Sequence, residues 1–171
     1  SALAGLTAFY LPYRQQQIAS QVPPIHDITT SIASPPQFVA IVPLRADAPN
    51  PPEYLGGETS ELQRQFYPDI MSLVYIHSPE EVFSAVTDVA MALGWEIVDA
   101  NLADGRVEAT ETTKWFGFKD DVVVRLTRGT ADSTILDVRS KSRVGRSDIG
   151  VNAKRIRTFT SLLNARLGVE N

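Results

Sequence analysis

The sequence predicts an α+β domain in which two helices pack on one face of an antiparallel sheet of four or more strands. Apolar residues recur at helical spacing in two segments, 78–94 and 148–167, and four β-forming runs with turn signals lie between them. All eleven prolines lie between Pro12 and Pro79, so no proline interrupts the elements that follow. The predicted order is therefore a proline-rich segment, a helix, four strands and a helix.

The first helix has clear signals at both ends. Ser78, Pro79 and Glu81 stand at the N-cap, the first and the third helical positions, which is the pattern of a capping box. Gly94 occupies the position of a C-cap glycine. The final helix is predicted from Asp148 to Leu167, with an apolar stripe that consists of Ile149, Ala153, Ile156, Phe159, Leu163 and Leu167.

The strand segments between the helices are WEIVDA, RVEATETT, DVVVRLTR and TILDVRSKSR. Asp104-Gly105 is typical of a tight hairpin turn, and GTADS separates the last two strands. Short connections join antiparallel neighbours, so these strands are expected to form a meander. One face of the meander is polar, and the two amphipathic helices are the predicted cover of the other.

Residues 22–76 are predicted to form an extended arm laid over the surface of the rest of the domain. Segments such as VPPIHDITT, SPPQF and APNPPEYLGG cannot hold long helices or central strands, yet their large apolar residues argue against disorder. Short strands and one short helix, Glu58 to Phe66, are expected there. The predicted division is a stub at 1–21, the arm at 22–76 and a helix–sheet–helix core at 77–171, in one globular domain.

The segment from Ala2 to Leu11 is apolar but shorter than the about 20 residues that cross a bilayer. It is either the stub that remains after removal of a signal peptide or membrane anchor, or the first turns of a packed helix. The first interpretation is preferred, because the first residue is not methionine. It predicts a protein anchored on the extracytoplasmic side of a membrane, in the periplasm or a thylakoid-type lumen.

The composition excludes several classes of function. With 171 residues, 43% of them hydrophobic, the chain can bury a core, and its net charge of −4 argues against nucleic-acid binding. The absence of cysteine excludes a disulfide framework, a thiolate metal site and a cysteine nucleophile. No metal or cofactor is expected, since the two histidines lack metal-ligand spacing and no phosphate-binding loop, dinucleotide fingerprint, nucleophile elbow or HExxH motif is present.

The segment TTKWFGFKDD supplies the first candidate site residues. Trp115, Phe116 and Phe118 form either the lip of a ligand pocket or a plug at the end of the sheet beneath the arm. The preferred interpretation is a bend that closes the sheet against the arm, with Gly117 at the bend. Lys119 completes the candidates on the approach to the strand.

Asp120 and Asp121 follow directly, and paired carboxylates suggest a metal site or a general acid–base couple. Adjacent side chains of a strand point to opposite faces, however, so the two acids are not expected to share a ligand. The preferred interpretation is that one acid caps a turn and the other pairs with a basic neighbour.

The run Arg139–Arg157 holds seven basic residues and one acid, Asp148. Arg139, Lys141 and Arg143 fall on one strand face near a helix N-terminus, which is typical of a phosphate or carboxylate site. The preferred alternative is a solvated strand face whose charges pair with acids of neighbouring strands, because Asp148 would itself cap the helix. The predicted pairing partners are Asp121, Asp137 and Glu108.

His26 and Asp27 are the last candidate pair, since a histidine–aspartate couple can orient a general base. Neighbours in sequence rarely face each other, and Asp27 followed by two threonines is more typical of a turn with local side-chain-to-backbone bonds.

Several ordered motifs together resemble the domain of unknown function (DUF) family 1499. They are PPIHDITT, NPPEY, QRQFYPDI, GWEIV, WFGFKDDVV and the segment that contains RSKSRVG and RIR. The resemblance runs from Pro24 to Phe159. It implies a bacterial or photosynthetic eukaryotic source and a hydrophobic segment or signal ahead of the domain. It implies no catalytic residues, because the activity of the family is not established.

The expected function is that of a non-catalytic, membrane-associated extracytoplasmic domain that binds a protein partner or a small anionic ligand. One alternative is a hydrolase-type enzyme of unrecognised kind that uses Asp120 or Asp121 with Arg125, Arg139 or Arg143. A second is peripheral binding of anionic lipid headgroups through Arg139–Arg157. Nucleic-acid binding ranks lowest, because the basic run lacks interleaved aromatic residues.

Overall fold

The computed structural model describes residues 23–113 and 117–169. Within them the chain forms a six-stranded antiparallel sheet and three α-helices, which confirms the predicted α+β class and adds two strands to the predicted meander. The strands are β1 (Asp27–Thr29), β2 (Leu73–Tyr75), β3 (Glu96–Asn101), β4 (Arg106–Thr112), β5 (Lys119–Arg128) and β6 (Thr134–Ser142). The helices are α1 (Glu58–Phe66), α2 (Pro79–Ala92) and α3 (Val151–Leu167), with one 3-10 turn at Val42–Arg45.

The sheet is a meander from β3 to β6 with two short strands added beside β6. The strand order is β1-β6-β5-β4-β3, and β2 also pairs with β6. β1 lies opposite residues 139–141 and β2 opposite residues 134–136, so the two short strands extend along the same edge of β6. Residues from the proline-rich half of the chain therefore take part in the sheet itself.

Helices α2 and α3 cover one face of the sheet, as the apolar periodicity predicts. The ring of Trp95 stacks on that of Phe159, with 5.3 Å between ring centroids. The capping box is present: the Glu81 backbone N–H donates to Ser78 Oγ, and the Ser78 backbone N–H donates to the Glu81 carboxylate. The fully buried apolar side chains between helices and sheet include Val82, Val86, Leu136, Val138, Phe159 and Leu163.

Helix α3 begins at Val151, three residues later than predicted. Ile149 and Gly150 have φ values of 53° and 78°, so the chain makes a left-handed turn there before the helix starts. The Asp148 carboxylate accepts bonds from the backbone N–H groups of Gly150 and Asn152. Asp148 thus caps the helix, as predicted, from two residues ahead of the formal N-cap.

Residues 31–57, here called the cover segment, lie over the opposite face of the sheet. Phe38 and Ile41 of this segment are buried against Val123 and pack beside Val98. Both faces of the sheet are therefore covered, one by helices and one by a mainly irregular chain.

Helix α1 protects the open edge of β1. The Gln63 side-chain amide accepts a bond from the Thr29 N–H at 3.1 Å and donates one to the Thr29 carbonyl at 2.6 Å. This amide replaces the hydrogen bonds that a further strand would make, and it closes an edge that otherwise invites pairing with another chain. The division into stub, arm and core stays a prediction, and the predicted stub lies outside the described residues.

The turn between β3 and β4 generates the first prediction. Gly105 has a φ of 60°, and a Cβ atom there would overlap the Leu126 carbonyl oxygen, next to the 2.7 Å bond from Leu126 N to Gly105 O. Gly94 also has a positive φ, 78°, but a Cβ atom there meets open space. Gly94→Ala should therefore lower the unfolding free energy by about 1–2 kcal/mol, from backbone strain alone. Gly105→Ala should lower it by about 3 kcal/mol or more, because steric overlap adds to the strain. Urea unfolding of both variants measures the difference, and equal losses would contradict it.

Candidate functional site

The two segments that carry the densest motifs meet at one cleft. It has a volume of about 240 Å³ and lies between the end of the β4–β5 connection and the loop that joins β6 to α3. Its lining includes Phe118, Asp120, Ser142, Val144, Ile149 and Val151.

Two buried polar residues, Asp120 and Ser142, form the floor of the cleft and belong to a paired polar network between β5, β6 and α3. The Arg155 guanidinium donates to the Asp120 carboxylate at 2.6 Å and also binds Glu111 and Asn152. Asn152 in turn accepts a bond from Ser140 Oγ and donates one to Ser142 Oγ, at 2.6 and 3.0 Å. Both serines point to the helix side, as period two predicts. Because these groups satisfy one another, the floor offers no free charge to a ligand.

The rim of the cleft is apolar and exposed to solvent. We call Phe118, Val144, Ile149 and Val151 the cleft rim; their exposed fractions are 52%, 39%, 48% and 44%. Ile149 holds a left-handed backbone conformation, which is unfavourable for a β-branched residue and costs about 1–2 kcal/mol. The bond from the Ile149 N–H to Ser147 Oγ and the Asp148 cap hold this turn in place. Strained residues of this kind concentrate at functional sites.

Asp148 lines the same cleft, and the pKa of its carboxyl is raised above the ordinary value of 3.8. The main cause is burial, which disfavours the charged form; the nearby Asp120 charge acts in the same direction. The two backbone N–H groups that bind the carboxylate oppose this shift without cancelling it.

The basic residues predicted on one strand face lie on the other face of the sheet, under the cover segment. They are called the arginine strand here and consist of Arg139, Lys141 and Arg143. Asp121 accepts bonds from Arg45 at 2.6 Å, from Arg143 at 2.8 Å and from Thr110 at 2.7 Å. Asp27 binds Arg139 through two bonds of 2.9 and 2.8 Å and lies 3.0 Å from Lys141 Nζ. We call this set the ionic layer; it consists of Asp27, Arg45, Glu108, Asp121, Arg139, Lys141 and Arg143.

The cations of the ionic layer also donate to backbone carbonyls of the cover segment. Arg139 binds the carbonyls of Pro36 and Pro52, and Lys141 binds that of Glu53. Arg143 binds the carbonyl of Leu44 and Arg45 that of Asn50. In the reverse sense, Glu108 accepts the backbone N–H groups of Val39, Ala40 and Ile41, at 2.9, 3.0 and 2.9 Å.

The expectation of a solvated strand face is therefore wrong. Arg139 and Lys141 are 0% and 1% exposed, because the cover segment seals them. Burial lowers the pKa of Lys141, against the opposing effect of Asp27. The pairing of Asp121 with a basic strand residue is as predicted, whereas Asp27 and Arg45 are partners that period two in β6 does not indicate.

The structure distributes the remaining candidates over separate places. Asp120 and Asp121 point to opposite faces, as predicted, but both pair with arginines and neither caps a turn. Arg125 pairs with Asp137 at 2.7 Å across β5 and β6. His26 Nδ1 lies 3.3 Å from the Arg146 carbonyl oxygen, away from the Asp27 pairs with Arg139 and Lys141. The cleft thus brings together Phe118, Asp120 and Asp148, with Lys119 next to them in sequence; Trp115 and Phe116 lie outside the described residues.

Several contributors were not indicated by the sequence. Arg155 and Asn152 are buried on the inner side of α3, whereas polar residues are expected on the exposed side of an amphipathic helix. Arg45 has one sequence signal: it is the only arginine or lysine between Arg14 and Arg64. Nothing in the sequence marks Ile149 as left-handed, because a glycine would be the expected residue there.

Two absences hold for residues 23–113 and 117–169. No cluster of three or more histidines and acids there is arranged to hold a metal ion. None of the helices in the same part of the chain is long and apolar enough to cross a membrane.

The geometry defines a small α+β domain with a sealed ionic face and an apolar cleft at one end of its sheet. A family model described as "Protein of unknown function (DUF1499)" matches residues 27–163, and the chain belongs to this family. Among solved structures, the crystal structure of CalU16 from Micromonospora echinospora is similar, with a TM-score of 0.32 and 18% identity. The similarity covers 57% of this chain and 81% of that chain. No curated protein matches the chain significantly.

The ionic layer generates a prediction about stability. Asp27→Asn should lower the unfolding free energy by about 3 kcal/mol or more, because Arg139 and Lys141 would stay buried without their counter-charge. Asp69→Asn is the matched control: it breaks the ion pair of Asp69 with Arg157, whose side chains are about half exposed, and should cost less than about 1 kcal/mol. Denaturant unfolding of both variants measures the two values. A loss for Asp27→Asn as small as that of the control would show that the layer is not needed.

Asp148 generates a prediction about pH. A carboxyl with a raised pKa binds its proton more tightly in the folded state, so stability falls as pH rises from 3.8 through the raised value. Asp148→Asn removes this titration. The unfolding free energy of the variant, relative to that of the wild type, should therefore increase across this pH window and level off above it. Parallel pH profiles for the two proteins would contradict the assigned cause.

Proposed function

We propose that this protein is a non-catalytic binding domain whose site is the cleft between the β4–β5 connection and the β6–α3 loop. The occupant is an apolar group of a small ligand or of a protein partner. We further propose the location that the sequence indicates, on the extracytoplasmic side of a membrane.

One observation carries this proposal: apolar side chains form an exposed rim above a floor that is already satisfied. Ile149 stays exposed at a position where its own backbone is strained, which folding alone does not favour. The four residues of the cleft rim come from two separate parts of the chain, residue 118 and residues 144–151, so the cleft is a product of the tertiary fold. A concave apolar surface with a few fixed polar groups is the usual form of a small binding site.

The arrangement of charges supports the cleft over the arginine strand as the site. Arg139 and Lys141 share Asp27, while Arg45 and Arg143 share Asp121. Most of their further donors bind backbone carbonyls under the cover segment, so an anionic ligand would have to displace this segment. The small anionic ligand expected from the sequence therefore has no support in the ionic layer.

The positions of the acids favour binding over catalysis. Asp120 and Asp121 lie on opposite faces of β5, so they cannot act together on one substrate. Each is held by an arginine. The Thr110 hydroxyl donates to Asp121 at 2.7 Å, but Thr110 is 3% exposed, so a substrate does not reach this pair. The hydrolase alternative thus loses the pairing on which it was based.

A fragment titration tests the proposed site. Indole, added to ¹⁵N-labelled protein, should shift amide signals of residues 117–120 and 142–151 in a saturable way. Val151→Trp should abolish these shifts, because Val151 lines this cleft and a second hollow of about 290 Å³ beside Trp95. The matched control is Leu162→Trp, which introduces the same side chain at a position of similar exposure, 42%, farther along α3.

Two results would contradict the proposal. The first is a set of shifts that lies elsewhere in the chain or does not saturate. The second is a loss of binding in Leu162→Trp as large as that in Val151→Trp.

A further inference from the structure

We propose that the cleft rim is the surface with which this domain lies on an anionic membrane. The side chains of Phe118, Val144, Ile149 and Val151 enter the boundary between headgroups and acyl chains, and nearby cations contact the headgroups. This inference rests on the proposed function in one respect: it takes from it the location at a membrane, and it adds which surface of the domain faces that membrane.

The first support is the combination of apolar and basic side chains. Arg146 lies between Val144 and Ile149 in the chain, and all three side chains are exposed. Lys154 is exposed one helical turn after Val151, and residues three apart lie on the same face of a helix. Apolar tips flanked by lysine and arginine are typical of proteins that lie in a membrane interface.

The second support is the local charge balance. The whole chain has a net charge of −4, yet the two acids of the cleft are not presented to a membrane. Asp120 is buried and bound by Arg155, and Asp148 faces the backbone N–H groups of Gly150 and Asn152. Glu111, which is partly exposed beside Val151 and Lys154, is paired with Arg155. Within the described residues the charges of Arg146 and Lys154 next to the rim are unpaired, and they are positive, which complements anionic lipid.

The third support is the place where the preceding chain joins the fold. Ser147 Oγ donates to the Pro23 carbonyl at 3.5 Å, and the Asp148 N–H donates to the Ile25 carbonyl at 3.3 Å. Residues 1–22, with the apolar run from Ala2 to Leu11, thus connect to the domain beside the cleft rim.

The conformation of Ile149 adds an argument about residue choice. Asparagine or glycine adopts a φ of 53° with little strain, whereas isoleucine does so at a cost. Contact with lipid favours isoleucine at this position, because its side chain removes more apolar surface from water than asparagine or glycine does.

Vesicle co-sedimentation of the full 171-residue chain tests the proposal. The vesicles consist of phosphatidylcholine with or without phosphatidylglycerol, and binding should require the anionic lipid and weaken with added salt. Ile149→Asn should lower vesicle affinity by about tenfold through loss of apolar contact, while its unfolding free energy stays equal to that of the wild type or rises. Arg146→Glu and Lys154→Glu should each lower affinity by about fivefold or more.

Matched controls separate the rim from general surface properties. Ile76→Asn removes an apolar side chain that is more exposed than Ile149; Ile76 directly follows β2 and does not line the cleft. Arg128→Glu reverses a charge at the end of β5 opposite to Lys119. Both controls should bind vesicles like the wild type. Absence of binding to the anionic vesicles, or equal affinity losses in rim and control variants, would overturn the proposal.

One further variant distinguishes this inference from the proposed function. Val151→Trp fills the cleft but adds an aromatic side chain at the rim, so it should abolish indole binding while vesicle binding persists or strengthens. If the wild type binds no indole but binds vesicles through Ile149 and Lys154, the cleft ligand is rejected and the membrane contact stands. If indole binds in the cleft and the rim variants bind vesicles like the wild type, the membrane contact is rejected alone.

Discussion

The buried ionic layer determines how the proline-rich half of this chain lies on the sheet. Prolines deprive the cover segment of regular backbone pairing, so its carbonyl groups need donors from elsewhere. Arginine and lysine side chains of β6 supply those donors, and Asp27 and Asp121 balance their charge. Glu108 completes the contact from the other direction by accepting three consecutive N–H groups. Apolar residues in these positions could bury the same area, but they could not satisfy the irregular backbone above them.

The two faces of the sheet consequently have different roles. Nearly every charged group of the covered face forms an ion pair or a hydrogen bond with another part of the chain, so this face stabilises the fold. On the helix side, the polar network around Arg155 joins β5, β6 and α3, and the loops above it leave an apolar opening. The strained turn at Ile149 sits at this opening and not in the ionic layer. The proposed binding site therefore lies at the end of the helix-covered face, where exposure, strain and concavity coincide.

The sequence predicts the elements whose signals are local. The capping box at Ser78, the alternation in β3 to β6 and the apolar stripe of α3 from Ala153 onward each lie within one segment and appear where expected. The prediction that Ile149 begins this stripe is wrong, because the helix starts only at Val151 and the Ile149 side chain is 48% exposed. The short strands β1 and β2 have three residues each, so their pairing depends on the edge of β6 and not on their own pattern. The ionic layer and the cleft join segments far apart in the chain, such as Arg45 with Asp121 and Phe118 with Ile149. The pattern of a strand alone predicts that its charged residues face solvent. The burial of Arg139 and Lys141 depends on carbonyl groups of the cover segment, which lie far away in the sequence, so the strand pattern does not predict it.

Native-state hydrogen exchange tests directly whether the ionic layer makes the cover segment an integral part of the fold. The amides of Val39, Ala40 and Ile41, which donate to Glu108, should open only with global unfolding, at the same free energy as the amides in the centre of β5. That result would show that the segment and the sheet unfold as one unit. Exchange of these three amides at a free energy well below that of β5 would show instead that the segment detaches by itself, and it would contradict the central role given to the buried charges.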